Sequence, residues 1–395
     1  MRARAIPLVL FLLALTERAR ADTPPDGSTE AAESLASSDS NAGEEAPLPS
    51  TGERALAGAT AVVPGVIAHG TGHFVAGETA TGTKLLIAEG VGVGLLFGGL
   101  TAVVATGASR YFVGPSAAVM VAGGGLFTTS FVADLYGSVS PDPGAAGNRS
   151  RPPPWIETEL GYRYVADPIF EYQDFLVESV SMRSDALRLT PSAWFSVAGD
   201  NALYRLEGAY RFLGPNPSPS ARPVLNDFVD LALGLAHHRY VPEHFTRSTM
   251  EAALESRYDL GHVGRTLRGS FVEGSLGYAF GRIDYDIQGV AVPPEFDDLL
   301  LARFAFGAVL RGAAKPGSEL FGYYDHRHDG FAGGLLLAGI PSGIGGHFGA
   351  EARWFFSENV GVSAHFEVGS AYVTGLSLLF RQAAAGPLGD TMGKD

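Results

Sequence analysis

A chain of 395 residues with a formal net charge of −14 offers no concentrated basic surface for a nucleic-acid backbone. Hydrophobic residues make up 46% of it, too many for a chain disordered throughout. Cysteine is absent, which removes disulfides, thiolate metal sites and an acylated lipoprotein anchor from consideration.

The N-terminus reads as an export signal. Arg2 and Arg4 precede an apolar run from Ile6 to Leu15, and Ala19-Arg20-Ala21 supplies small residues before Asp22. A basic start, an apolar stretch too short to span a bilayer comfortably and an A-x-A site together predict a signal peptide over 1–21. Residues 22–54 are mostly Ser, Ala, Gly, Pro, Thr and acids, with Arg54 as the single base. Such a stretch cannot bury enough apolar surface to offset chain ordering, so it is expected to be a disordered acidic linker.

Residues 55–137 differ in kind. Thr83 to Gly107 is apolar apart from Lys84 and Glu89, and Tyr111 to Tyr136 forms a second apolar run that contains Pro115 and ends near Asp134. Each is long enough to cross a hydrocarbon core as a helix. Both are rich in Gly and Ala, which let helix backbones approach closely in lipid. The expectation is a hydrophobic helical hairpin. Ahead of it stand Pro64-Gly65, Gly70, Gly72-His73-Phe74, Gly77 and Gly82, a pattern that resembles the opening of the two-helix membrane modules called TM2-like. Over these twenty or so residues the glycines permit a tight re-entrant turn, and His69 or His73 could lie at the membrane interface. Gly77 to Lys84 is not a phosphate loop, because Thr-Lys replaces Lys-Ser/Thr and no strand precedes it. A Pro/Gly-rich linker over 138–154 then marks the next boundary.

From Trp155 to Phe380 the apolar period changes to two, the signature of strands with one apolar face. Tyr204, Leu206, Tyr210 and Phe212 alternate with Arg205, Glu207 and Arg211. Phe348, Ala350, Ala352, Trp354 and Phe356 alternate with His347, Glu351 and Arg353, and Val362, Ala364, Phe366 and Val368 with Ser363, His365 and Glu367. The segments run about ten to twelve residues, the length of a tilted membrane strand rather than a soluble one. Aromatic tips on the apolar faces fit interfacial girdles, and mixed charges fit a polar lumen. Strand starts fall near Trp155, Gln173, Leu187, Ala202, Asp227, Thr249, Leu267, Leu299, Ser318, Phe331, Gly346, Val360 and Ala371. Thirteen is odd, whereas single-chain barrels are even, so one start around Ser318 to Ile340 should fail, leaving about twelve strands, with ten as the alternative.

The chain thus resembles bacterial outer-membrane β-barrel proteins. Thr374, Gly375, Leu378 and Phe380 resemble the C-terminal signal of such barrels, a pattern of polar, Gly, two free positions, hydrophobic, free, aromatic. The resemblance implies that assembly machinery reads this strand, although here a tail over 381–395 follows it. The reading is mainly β: an antiparallel transmembrane barrel of about twelve strands preceded by a hydrophobic α-helical hairpin, with a barrel domain over 155–380. Membrane lipids and the outer-membrane assembly machinery are the expected partners, with no nucleic acid, cofactor or metal ion. The expected role is a non-enzymatic narrow channel or a structural, surface-interaction protein of the outer membrane.

One polar cluster supports an alternative. On an extended strand His326 and His328 share one face, with Asp325, Arg327 and Asp329 on the other. A histidine with a carboxylate can do general acid–base work. Outer-membrane proteases pair Asp-Asp with Asp-His across the barrel mouth, and Asp297-Asp298 is available here; the His-x-Ser pair of lipid A deacylases is lacking. Asp325, His326 and His328 are therefore candidates for an outer-membrane hydrolase. Counting strands back from the C-terminus places them at a periplasmic turn, the wrong end for such enzymes. His237-His238 reads as an interfacial pair at a strand end. A third reading is an inner-membrane anchor carrying a soluble β-domain.

Overall fold

The computed structural model describes residues 50–382 except 140–153, 169–172, 215–226, 241–243, 286, 288–289, 291, 311–316, 329, 334, 338–339 and 343–344. The expected signal peptide, residues 22–49 of the acidic linker, most of the 138–154 linker, Asp329 and residues 383–395 of the tail lie outside the described residues.

Among the described residues four α-helices come first: α1 (Thr51–Val62), α2 (Thr71–Val75), α3 (Thr79–Ala105) and α4 (Arg110–Val139). Helix α1 takes in the last residues of the expected linker. Helices α3 and α4 are the apolar hairpin, each long enough to cross a bilayer. Their backbones meet at glycines. A Cβ on Gly92 would stand 2.8 Å from Phe127 N, and one on Gly123 would stand 2.6 Å from Leu96 N. Helices that cannot rely on water to drive them together associate through such close approach.

Fourteen strands follow among the described residues. Twelve close into one antiparallel barrel: β1 (Ile156–Ala166), β2 (Asp174–Ser184), β3 (Leu187–Ser196), β4 (Ala202–Leu213), β5 (Phe228–Tyr240), β6 (Phe245–Asp259), β7 (Ser270–Tyr285), β8 (Glu295–Val309), β9 (Glu319–Asp325), β12 (His347–Phe355), β13 (Val360–Val368) and β14 (Tyr372–Gln382). The other two, β10 (Leu335–Leu337) and β11 (Ile340–Ser342), pair only with each other between β9 and β12. The strand expected to start at Phe331 is therefore not a wall strand, and twelve is the number in the wall. Closure runs through β14, which pairs along its whole length with β1 from Ile156↔Gln382 to Ala166↔Tyr372. A ring of strands leaves no backbone edge to satisfy in hydrocarbon.

The alternation resolves inside out. Tyr204, Leu206, Tyr210, Met250, Phe348 and Phe366 are exposed on the outer face. The charged partners point inward, where Arg163, Arg183, Arg211, Asp230 and Glu251 are buried. Two stacked sheets would shield Phe348, Trp354 and Phe366; here each is exposed, which rules out the soluble-domain reading. Aromatic side chains gather on the outer wall towards both rims. Tyr162, Tyr164, Phe296 and Tyr372 stand at one end, and Trp155, Phe212, Trp354 and Phe380 at the other. We call the rim where β1 begins and β14 ends the near rim, and the opposite one the far rim.

The hairpin lies against the outer wall. A Cβ on Gly125 of α4 would stand 2.8 Å from the outward Phe304 ring of β8. Tyr136 meets Phe306 edge-on at 6.0 Å, and Leu85, Ala133, Leu260 and Leu267 close a small core with Val272. Lys84 Nζ donates to Val263 O at 2.7 Å, in the near-rim turn between β6 and β7.

Candidate functional site

The lumen is crossed by ion pairs that skip strands. Arg205 of β4 reaches Glu251 of β6 at 2.5 Å, and Arg188 of β3 reaches Glu255 of β6 at 2.8 Å. Arg257 of β6 reaches Glu319 of β9 at 2.7 Å, and Arg353 of β12 reaches Glu157 of β1 at 3.2 Å. Charges withdrawn from bulk water persist when paired and hydrogen-bonded, and these pairs brace the wall across its curve. Packing inside is close as well. The Tyr323 ring lies over Gly349, where a Cβ would stand 2.2 Å from it.

At the far rim one side of the lumen is apolar. Val165 of β1, Phe175 of β2 and Val373 of β14 are fully buried there, with Trp194 of β3 and Tyr240 of β5 beside them. The loop leaving β9 fills this crescent. Its Phe331 stacks on Trp194 at 5.3 Å and 24°, lies 4.9 Å from Phe175, and meets His238 of β5 edge-on at 4.9 Å. In the ring of twelve, β9 and β3 stand six places apart, on opposite walls. The loop therefore crosses the mouth. It is tied on the way: Arg327 makes two bonds of 2.8 Å to Glu251, and Ser370, in the β13–β14 turn, donates its hydroxyl to Gly333 O. Ala332 behind Phe331 is wholly buried.

A second polar centre lies between the hairpin and its entry turn. His73 and Asp134 are both fully buried, with Nδ1 and Oδ1 2.6 Å apart. Asp134 also accepts from the backbone N–H groups of Gly72 and His73 at 3.2 Å. His73 Nε2 lies 3.2 Å from Thr266 Oγ1, which donates to Glu78 at 3.0 Å. His69 bonds Ser130 at 2.6 Å through Nδ1, and its backbone N–H donates to Glu89 at 2.8 Å. Burial holds the His69 imidazole below its ordinary value. The two histidines are thus buried within the protein.

The glycines of this motif take up the tight places. Gly70 has φ +90 and a Cβ there would stand 2.2 Å from Gly82 O, while Gly77 turns at φ +81. A Cβ on Gly65 would stand 1.9 Å from Ala61 O, and one on Gly72 2.0 Å from Ser138 Oγ. Pro64 accepts from the N–H groups of Ile67 and Ala68.

The acid–base cluster divides. Asp325 ends β9 on the lumen side, opposite Arg303 and His347, and accepts from the Arg327 N–H at 2.9 Å. His326 bonds the outward Tyr324 hydroxyl at 2.9 Å, with His328 edge-on to it at 4.8 Å. Burial, with His328 beside it, holds the His326 imidazole below its ordinary value. Asp297 is paired to Arg247 at 2.7 Å across the lumen, and Asp298 bonds the Tyr278 hydroxyl outside. The cluster stands at the far rim, not at the end that shares the C-terminus, because the failed thirteenth strand shifts the count by one. His237 and His238 also separate: His237 faces out to Ser248, and His238 faces the lumen. Thr374, Leu378 and Phe380 lie on the outer face of the closing strand, with Gly375 inward beneath Arg163.

Sequence reasoning missed Phe331, Trp194, Phe175, His238 and the Arg327–Glu251 tie. One signal was present. Trp194 shares a strand face with Arg188, Thr190 and Ser192, and a large aromatic on a polar face marks a place where the lumen is packed. Glu89 and Asp134, acids inside apolar helices, likewise announced a buried centre.

No protein-family model and no curated protein matches the chain. Among solved structures it is similar to the outer membrane protein Omp33 of Acinetobacter baumannii, at 10% identity over 58% of this chain and 98% of that one, with a TM-score of 0.30. It is similar to the KdgM porin in complex with disordered oligogalacturonate at 5% identity, over 57% and 98% of the two chains and a TM-score of 0.34. The translocator domain of the autotransporter NalP from Neisseria meningitidis gives 10% identity, 57% and 87% coverage and a TM-score of 0.32. Scores this low add nothing to what the strand pairing establishes by itself. On that pairing the chain is a closed antiparallel barrel of twelve strands, apolar outside and charged within, with an apolar helical hairpin seated on its wall.

Proposed function

We propose that the chain is an exported outer-membrane barrel that acts as a narrow channel, held closed at its far mouth by the loop after β9. One observation carries this reading: a loop rooted in one wall inserts Phe331 against Trp194 of the opposite wall. A loop that served only as surface would not cross the opening. The lumen beneath, crossed by paired Arg, Glu and Asp side chains, suits water and small solutes once the mouth is clear. A barrel of twelve strands is wider than one that side chains just fill and narrower than an open porin. The near rim, where β1 begins and β14 ends, faces the periplasm, and the far rim faces outward. Lipid covers the aromatic-rimmed outer wall and the hairpin, and the assembly machinery engages β14 through Thr374, Leu378 and Phe380.

Planar-bilayer recording tests it. Wild-type protein should give small, brief conductance steps, and Phe331→Ala should raise the open fraction at least tenfold. Silence from both proteins, each shown to be folded by heat-modifiable gel migration, would remove the channel.

A further inference from the structure

The crescent that receives Phe331 has a feature its occupant does not use. His238 is 95% buried there, at 5% exposure, and its Nε2 has no hydrogen-bond partner among the described residues. A buried polar nitrogen left unpaired is costly and is seldom kept without a use. Around it the lining is aromatic: Trp194, Phe175 and Tyr240, whose ring lies 3.7 Å from that of His238. A phenyl ring already sits in this space, stacked on Trp194. The loop's own side chain thus shows what shape the crescent accepts, and His238 shows what that side chain lacks.

We propose that this crescent is a binding site for a planar aromatic solute carrying a hydroxyl or similar hydrogen-bonding group. The solute's ring takes the place of Phe331 and its polar group pairs with His238 Nε2. The gating consequence rests on the channel reading; the binding does not. Because solute and Phe331 compete for one place, occupancy by the solute and release of the loop are one event. The apparent affinity is then reduced by the fraction of time the crescent stands empty.

The chain has three tryptophans, and Trp155 and Trp354 are on the outer face, so Trp155→Phe with Trp354→Phe leaves Trp194 as the reporter. Phenol titrated into the folded full-length protein in micelles should change Trp194 emission saturably. Cyclohexanol, of equal size but not planar, should not. Phe331→Ala should bind phenol at least tenfold more tightly, and His238→Phe should erase the preference for phenol over toluene while leaving the barrel folded. Equal responses to phenol and cyclohexanol would overturn the proposal. So would binding by Phe331→Ala alone, with wild type silent at a hundredfold higher phenol, since that is merely an engineered cavity. Saturable phenol binding in a barrel that never conducts would support the site and sink the channel alone.

Discussion

A carboxylate with no exposure, such as Asp134, is tolerable only when its lone pairs are filled, and here one imidazole and two backbone amides fill them. Asp134→Ala leaves His73 Nδ1 and both amides without that acceptor. Removing one member of a buried pair costs about 3–5 kcal/mol. We expect the helical signal at 222 nm to melt in a separate, earlier transition in this variant, while unheated gels still show a folded barrel. Coincident melting of helix and barrel in both proteins would contradict it. His69, next to this centre, adds a pH dependence. Burial favours its neutral form, so the unfolded chain binds more protons than the folded one below about pH 6.5, the ordinary histidine value. Stability of the helical unit should therefore fall as pH drops from neutrality through that value, with Glu89 and Asp134 opposing the effect in part. His69→Gln should flatten the slope of melting temperature against pH between 7.5 and 5.5; an unchanged slope would remove His69 as its cause.

Among the elements, the α3–α4 pair depends on bare backbone at Gly92 and Gly123, whereas Gly124 has open space where a side chain would go. Gly123→Leu forces the helices apart, and overpacking of this sort costs about 1–3 kcal/mol. Its urea midpoint for the helical signal should drop, and that of Gly124→Ala should not; equal midpoints would mean that the helices do not meet there. The contrast also shows what could be read in advance. That both segments are helices follows from their length and apolarity, and that they approach closely follows from their glycine content. Which glycine touches which residue does not, since Gly123 and Gly124 look alike on paper. The wall of the barrel was legible for the same reason: in β12 and β13 the period of two assigns each residue a face without further knowledge. The docking of α4 on β8 was not. Gly125 and Phe304 are simply apolar residues in apolar runs, and nothing in either run names the other.

For the molecule as a whole, the loop after β9 has two fastenings of different chemistry. Phe331 is held by stacking in the crescent, and Arg327 by two bonds to Glu251, a buried residue that Arg205 also grips. Because Glu251 keeps Arg205 when Arg327 is lost, Arg327→Met should leave the barrel folded and loosen only the loop. Its open fraction in a bilayer should rise above wild type. Salt should shift the wild-type open fraction little, since a pair this deep is poorly screened. If the loop moves as one body, both fastenings must break together for it to open, so each single variant removes only its own share of the closing free energy. The double variant Arg327→Met, Phe331→Ala should then have an open-to-closed ratio near the product of the two single gains. Separate contributions to one equilibrium add as free energies in this way, whereas coupled residues break additivity. A double variant that opens scarcely more than the better single variant would show that losing one fastening already releases the other, and the loop would no longer be one rigid gate.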